Sequence, residues 1–147
     1  MVIAGSWQLC DDGLTRPILR ASIRASDGTL IADDFLIDSG ADRTVFSAAL
    51  MVRLQLPTRS LNSGTALCGV GGQTDSVLVS ATVQFLTQAG HPVRIHGEFA
   101  AFTDPTATDL SILGRDISDL FALIISRRQN EILMIAADHQ YRVEPSE

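Results

Sequence analysis

The chain has 147 residues, 46% of them hydrophobic, and carries a formal charge of −6 at pH 7. That length favours one domain, 1–147, with enough apolar material for a real core and too much for a disordered chain. The acidic balance is spread along the sequence, which argues against nucleic acid or an anionic membrane as partner, and 5% aromatics leave little for base stacking.

No apolar run approaches the roughly 20 residues of a membrane helix. The opening stretch MVIAGSWQLCDDG has no basic start and too short an apolar region for a secretory leader. The expectation is therefore a cytoplasmic protein. Cys10 and Cys68 are too few for a disulfide framework and read as free thiols. His91, His96 and His139 lack metal-ligand spacing, and no cofactor is implied.

Residues 1–13 read as an N-terminal extension, with Trp7 packing on the body or occupying a groove. In PILRASIRAS, Ile18, Arg20, Ser22 and Arg24 fall on one face and Leu19, Ala21, Ile23 and Ala25 on the other, the period of a strand. Asp27-Gly28 marks a hairpin turn, and LIADDFLI returns as a second strand that ends at Asp38. SAALMVRLQL, 47–56, has apolar residues at helical spacing and is closed by Pro57. LPTRSLNSG reads as loop. TALCGVGGQTDSVL sets glycines between apolar flanks, which predicts a flexible hairpin tip within a hairpin at 62–78.

SVLVSATVQFLT and HPVRIHGEFAAF form a further hairpin about Gln88-Ala89-Gly90, and TDPTATD follows as loop. LSILGRD leads into one helical turn at ISDLF. FALIIS and EILMIA make a last hairpin around RRQN, with QYRVE as a possible terminal strand. The order strand pair, apolar triplet, glycine, acid occurs twice, around Asp38 and around Gly114, and suggests two similar halves. The whole predicts a mainly β fold, a closed or partly open barrel with one or two short helices.

The segment LIDSGADRTVF carries the chemistry. An apolar run delivers Asp38 into a sharp Ser39-Gly40 turn at the edge of the core, a position suited to general acid–base work. The plain alternative is an Asx-turn in which Asp38 only accepts bonds from Ser39 and Gly40. The glycines of GVGGQT lack the lysine and spacing of a phosphate-binding loop.

LIDSGADRTVF, CGVGGQT and SILGRD, in that order, resemble the retropepsin-like aspartic proteases, retroviral proteases and their cellular and bacterial relatives. The resemblance runs from about Arg16 to the end and implies an acid protease barrel. It implies that Asp38 is the catalytic aspartate, that Ser39 locks two active-site loops together across a dimer, and that Gly40 offers backbone contacts to substrate. Ala41 and Asp42 would flank the substrate. Gly69, Val70, Gly71 and Gly72 would form the tip of a flap. Ile112, Leu113 and Gly114 would pack beneath the active loop, and Asp42 and Arg115 would form a buried, bidentate ion pair bracing it. Arg16, in Thr15-Arg16-Pro17, would reach the partner's aspartate across the dimer or stand as a solvated charge.

Peptide hydrolysis of this kind needs two carboxylates sharing a proton, and the chain offers one Asp-Ser-Gly. A homodimer is therefore expected, with peptide or protein as substrate. Asp33 and Asp34 read as solvated strand positions, and Asp104, Asp109 and Asp116 as structural acids. Alanine at 41, where a serine could donate a further hydrogen bond, points to a mildly acidic optimum. The leading expectation is an aspartic endopeptidase. The alternative is a peptide-binding or dimerisation module on the same fold, without turnover.

Overall fold

The structure, a computed structural model, describes residues 1–60, 67–69, 72–74, 76–106 and 110–136. The chain opens with β1 (Val2–Ala4) and β2 (Ser6–Leu9), then the long hairpin β3 (Thr15–Arg24) and β4 (Leu30–Ile37). After the Asp38 loop come β5 (Val45–Phe46), α1 (Ala48–Leu54) and β6 (Thr58–Ser60). The short hairpin β7 (Leu67–Gly69) and β8 (Gly72–Thr74) leads to a second long hairpin, β9 (Ser76–Leu86) and β10 (Pro92–Phe102). The chain then forms β11 (Ser111–Leu113), α2 (Arg115–Ser118), β12 (Phe121–Ser126) and β13 (Glu131–Ala136).

Two hairpins and two short strands make the barrel. The main sheet runs β2-β3-β4-β11-β5-β10-β9-β6, and β3 also pairs with β9. That last pairing, Ser22 with Gln84 and Ile23 with Val83, closes six strands into a ring and leaves β2 and β6 as outer flaps of the sheet. Closure removes the exposed edges an open sheet would present.

The alternation expected in β3 holds. Leu19, Ala21 and Ile23 are buried while Arg20 and Arg24 are exposed. On β4 the inner positions include Phe35 and Ile37, and Phe35 meets Phe46 edge-on at 6.0 Å between ring centroids. Gly28 turns the first hairpin with φ +87°, a conformation that favours glycine. Ser47 caps α1 by accepting from Leu50 N at 3.1 Å, and the helix ends at a left-handed Gln55 just before Pro57.

Two sequence expectations change. Thr58–Ser60 is not loop but a strand paired with β9, all three residues exposed. Residues 1–13 are tied into the body: β1 pairs with β13, and β2 with β3. Of the two places expected for Trp7, the structure selects the body. Its indole N–H donates to the Ser126 carbonyl at 3.2 Å, and Arg127 lies 5.4 Å over the ring. The possible strand at QYRVE lies outside the described residues. No helix among the described residues is long and apolar enough to cross a membrane.

Candidate active site

The loop 38–44 leaves β4 and must reach β5, yet β11 lies between those two strands. β11 runs parallel to β4, with Phe35, Leu36 and Ile37 opposite Ser111, Ile112 and Leu113, while Ile112 also faces Val45 of β5. The loop therefore crosses over the end of β11. The next positions in that register are Asp38 on one strand and Gly114 on the other.

The crossing dictates glycine at 114. A Cβ there would overlap the Arg43 carbonyl group and lie 2.7 Å from Thr44 N. These neighbours are backbone, so they cannot swing aside as a side chain would. Main-chain bonds then fix the loop: Asp38 N donates to Leu113 O at 3.1 Å, Arg115 N to Ala41 O at 2.8 Å, and Asp116 N to Asp42 O at 3.2 Å. Leu113 is fully buried beneath it.

Asp38 is half-buried at the mouth of this crossover, with Ser39 and Gly40 exposed beside it. Gly40 N donates to Asp38 Oδ1 at 2.9 Å, and Ala41 N to the Asp38 carbonyl at 3.1 Å. The Asx-turn is thus present, and it orients the carboxylate rather than burying it.

The interior brace is one that sequence reasoning missed. Thr44 is fully buried. Its hydroxyl donates to Asp116 Oδ1 at 2.7 Å and accepts from Gly114 N at 3.0 Å, and its own N–H lies 2.9 Å from the same carboxylate oxygen. The Thr44 carbonyl accepts from Ala100 N at 3.1 Å, so one residue joins the loop, β10 and α2. The reading of Asp116 as a structural acid holds, and its specific partner is Thr44. Thr44, five residues after Ser39, carried no signal of this partnership in the sequence.

Asp42 and Arg115 do form an ion pair, but not a buried bidentate one. A single guanidinium nitrogen meets a single carboxylate oxygen, with side chains 79% and 51% exposed. Their backbones run side by side and the inward space is taken by Thr44 and Asp116, so both side chains point to water. The contact raises the Arg115 pKa through its hydrogen bond with Asp42.

Arg16 stays at the surface, in an ion pair within its own chain. It is held two-pronged by Asp12 of its own chain, at 2.7 and 2.5 Å. That bond, with a further one from Leu14 N, lowers the Asp12 carboxyl to about 2. Asp33 also departs from expectation: it accepts from the buried Ser111 hydroxyl at 2.7 Å. Asp34 pairs with Arg20 on the outer face at 2.9 Å.

Gly69 and Gly72 face each other across the β7–β8 hairpin. Val70 and Gly71 lie outside the described residues. An apolar groove of about 730 Å³ lies between α1, β6 and the ends of β9 and β10, lined by Met51, Val52, Leu56 and Phe102 among others. No residue of the 38–44 loop lines it.

The family model for aspartyl proteases matches residues 24–117, well over half of the chain, and that span contains the whole crossover. No curated protein matches. Among solved structures the chain is similar to a retropepsin-like aspartic protease from Rickettsia conorii, with 15% identity, 91% of this chain and 97% of that one covered, and a TM-score of 0.55. It is also similar to EIAV protease in complex with an inhibitor, with 27% identity over 71% of this chain and 86% of that one and a TM-score of 0.49. The retroviral protease-like domain of Ddi1 from Leishmania major matches with 16% identity over 83% and 98%, at a TM-score of 0.45. The crossover built around Asp38 and Gly114 and the family match over it lead to one conclusion: the chain belongs to the aspartyl protease family, with a retropepsin-like β fold.

Proposed function

We propose that the chain is an aspartic endopeptidase that works as a homodimer, one domain spanning 1–147. Asp38 of each copy meets at a twofold axis. One carboxylate accepts a proton from water as the other donates to the peptide carbonyl, and the water oxygen attacks the carbonyl carbon. Ser39 locks the paired loops, Gly40 and Ala41 present backbone to an extended peptide, and the hairpin within 62–78 closes over it as a flap. Asp42 sits at the rim of the same cleft.

The observation that carries this reading is the setting of Asp38. It directly follows β4 in a crossover fixed by main-chain hydrogen bonds, is half-buried, and is aimed by the Gly40 N–H. A module that only bound peptide would have no need of an acid fixed in that way. The non-catalytic reading draws on a different observation: Arg16, expected at a partner's aspartate, is held by Asp12 of its own chain.

A diverse peptide mixture, incubated from pH 3 to 7 with the wild type and with Asp38→Asn, separates the two readings. Cuts that need Asp38, strongest at mildly acidic pH, support the peptidase. A folded, dimeric wild type that cuts nothing across the range supports the binding module.

A further inference from the structure

One carboxylate outside the crossover has no role in the chemistry above. Asp33 lies on the inner face of β4, in the same alternation as the buried Phe35 and Ile37, and is half-buried. Among the described residues it has no ion-pair partner within salt-bridge distance. A half-buried acid on the core face of a strand needs a hydrogen-bonding reason to be there.

Its partner is Ser111. The Ser111 hydroxyl is fully buried and donates to Asp33 Oδ2 at 2.7 Å. Ser111 Oγ in turn accepts from Ser47 N at 3.0 Å, and the Ser47 hydroxyl caps α1 by accepting from Leu50 N at 3.1 Å. The relay Asp33–Ser111–Ser47 therefore spans three pieces of chain. β4 carries Asp38 at its end. β11 lies beneath the Asp38 loop. Ser47 follows β5, where that loop comes down on the far side.

We propose that Asp33 is a positioning residue for Asp38, acting through Ser111. A serine hydroxyl can rotate among several acceptors. The fixed carboxylate selects one orientation, which leaves the Ser111 lone pair aimed at Ser47 N. That sets how far β11 lies along β4, and hence where Leu113 O stands to receive Asp38 N. Asp33 touches neither substrate nor the reacting atoms. Asparagine offers a carbonyl oxygen of the same shape and can serve in its place. Alanine cannot.

This proposal rests on the peptidase reading only for its kinetic consequence, so the test has an arm independent of activity. Amide hydrogen exchange is followed at Asp38 and Arg115, whose N–H groups hold the loop, with Val83 in the barrel wall as reference. Asp33→Ala should speed exchange at Asp38 and Arg115 by roughly tenfold relative to Val83, and Asp33→Asn should restore it. Ser111→Ala removes the same bond from its other end and should reproduce Asp33→Ala, which keeps the test alive if that variant does not fold. In peptide cleavage, Asp33→Ala should lower kcat by roughly ten- to a hundredfold with KM unchanged, the mark of a misplaced catalytic group. Equal acceleration at Val83, unchanged exchange at Asp38 and Arg115, or failure of Asp33→Asn to rescue would each overturn the proposal. A wild type that cleaves nothing would sink the peptidase reading and leave the exchange arm to decide on Asp33.

Discussion

Thr44 and Asp116 face each other inside the crossover, and Asp42 and Arg115 face each other outside it. Both pairs join the same two segments, the Asp38 loop and the start of α2. The inner pair is anchored on a fully buried threonine and satisfies backbone N–H groups of Thr44 and Gly114. The outer pair is a charge–charge contact in water. An exposed ion pair gains little because solvent screens it and two long side chains must be ordered. A buried N–H left without an acceptor costs its full desolvation. The loop is thus held by hydrogen bonds to its backbone, and the visible charges decorate it.

The comparison can be broken at its centre first. Gly114→Ala drives a Cβ into backbone that cannot move, and should cost roughly 3 kcal/mol or more or abolish folding, read by denaturant unfolding. Thr44→Val keeps the shape and removes the hydroxyl shared by Gly114 N and Asp116. It should cost about 1–3 kcal/mol, with a loss of order in the 38–44 loop visible by amide NMR. Asp42→Asn should move the unfolding midpoint far less than Thr44→Val, and what effect it has should fade in high salt. An Asp42→Asn effect as large as that of Thr44→Val would reverse the ranking of the two braces.

The smallest effect lies in another exposed pair, Asp12 with Arg16. The folded-state pKa of Asp12 is depressed to about 2, below its ordinary 3.8, chiefly by its bond to Arg16. A depressed carboxyl stabilises the folded state above its unfolded pKa, and that contribution is lost as pH falls from about 4 towards 2. Asp12→Asn should lower stability slightly from neutrality down to about pH 4, and the difference from wild type should vanish as pH falls towards 2, as thermal melts at stepped pH would show.

The period-2 pattern of β3 and β4, the paired hairpin β9–β10 and the helix at Ala48–Leu54 were legible because each announces itself within a dozen residues. Ring closure was not, since the β3–β9 contact joins residues about sixty apart and leaves no local trace. β6 was missed for a different reason: three exposed polar residues after a proline carry no alternation, and β9 supplies all their reason to be extended. At the site, the contact of Asp42 with Arg115 was expected, but as a buried, bidentate pair rather than the exposed single contact that is present. The sequence did not rank Asp42 against Asp116, because both flank their glycine closely and only the direction of each side chain separates them. Arg16 and Asp12 stand four residues apart across a turn, a spacing that could have suggested their bond.

The most direct trial of a twofold site is to dilute it with a silent copy. Wild-type protein at fixed concentration, high enough to favour dimers, is mixed with rising amounts of folded Asp38→Asn protein, and peptide cleavage is followed. If two Asp38 carboxylates from two chains form one site, the rate should fall as mixed dimers form, to about half at equal amounts under random pairing. A rate that stays constant however much Asp38→Asn protein is added would mean that each chain acts alone, and would contradict the paired-carboxylate mechanism.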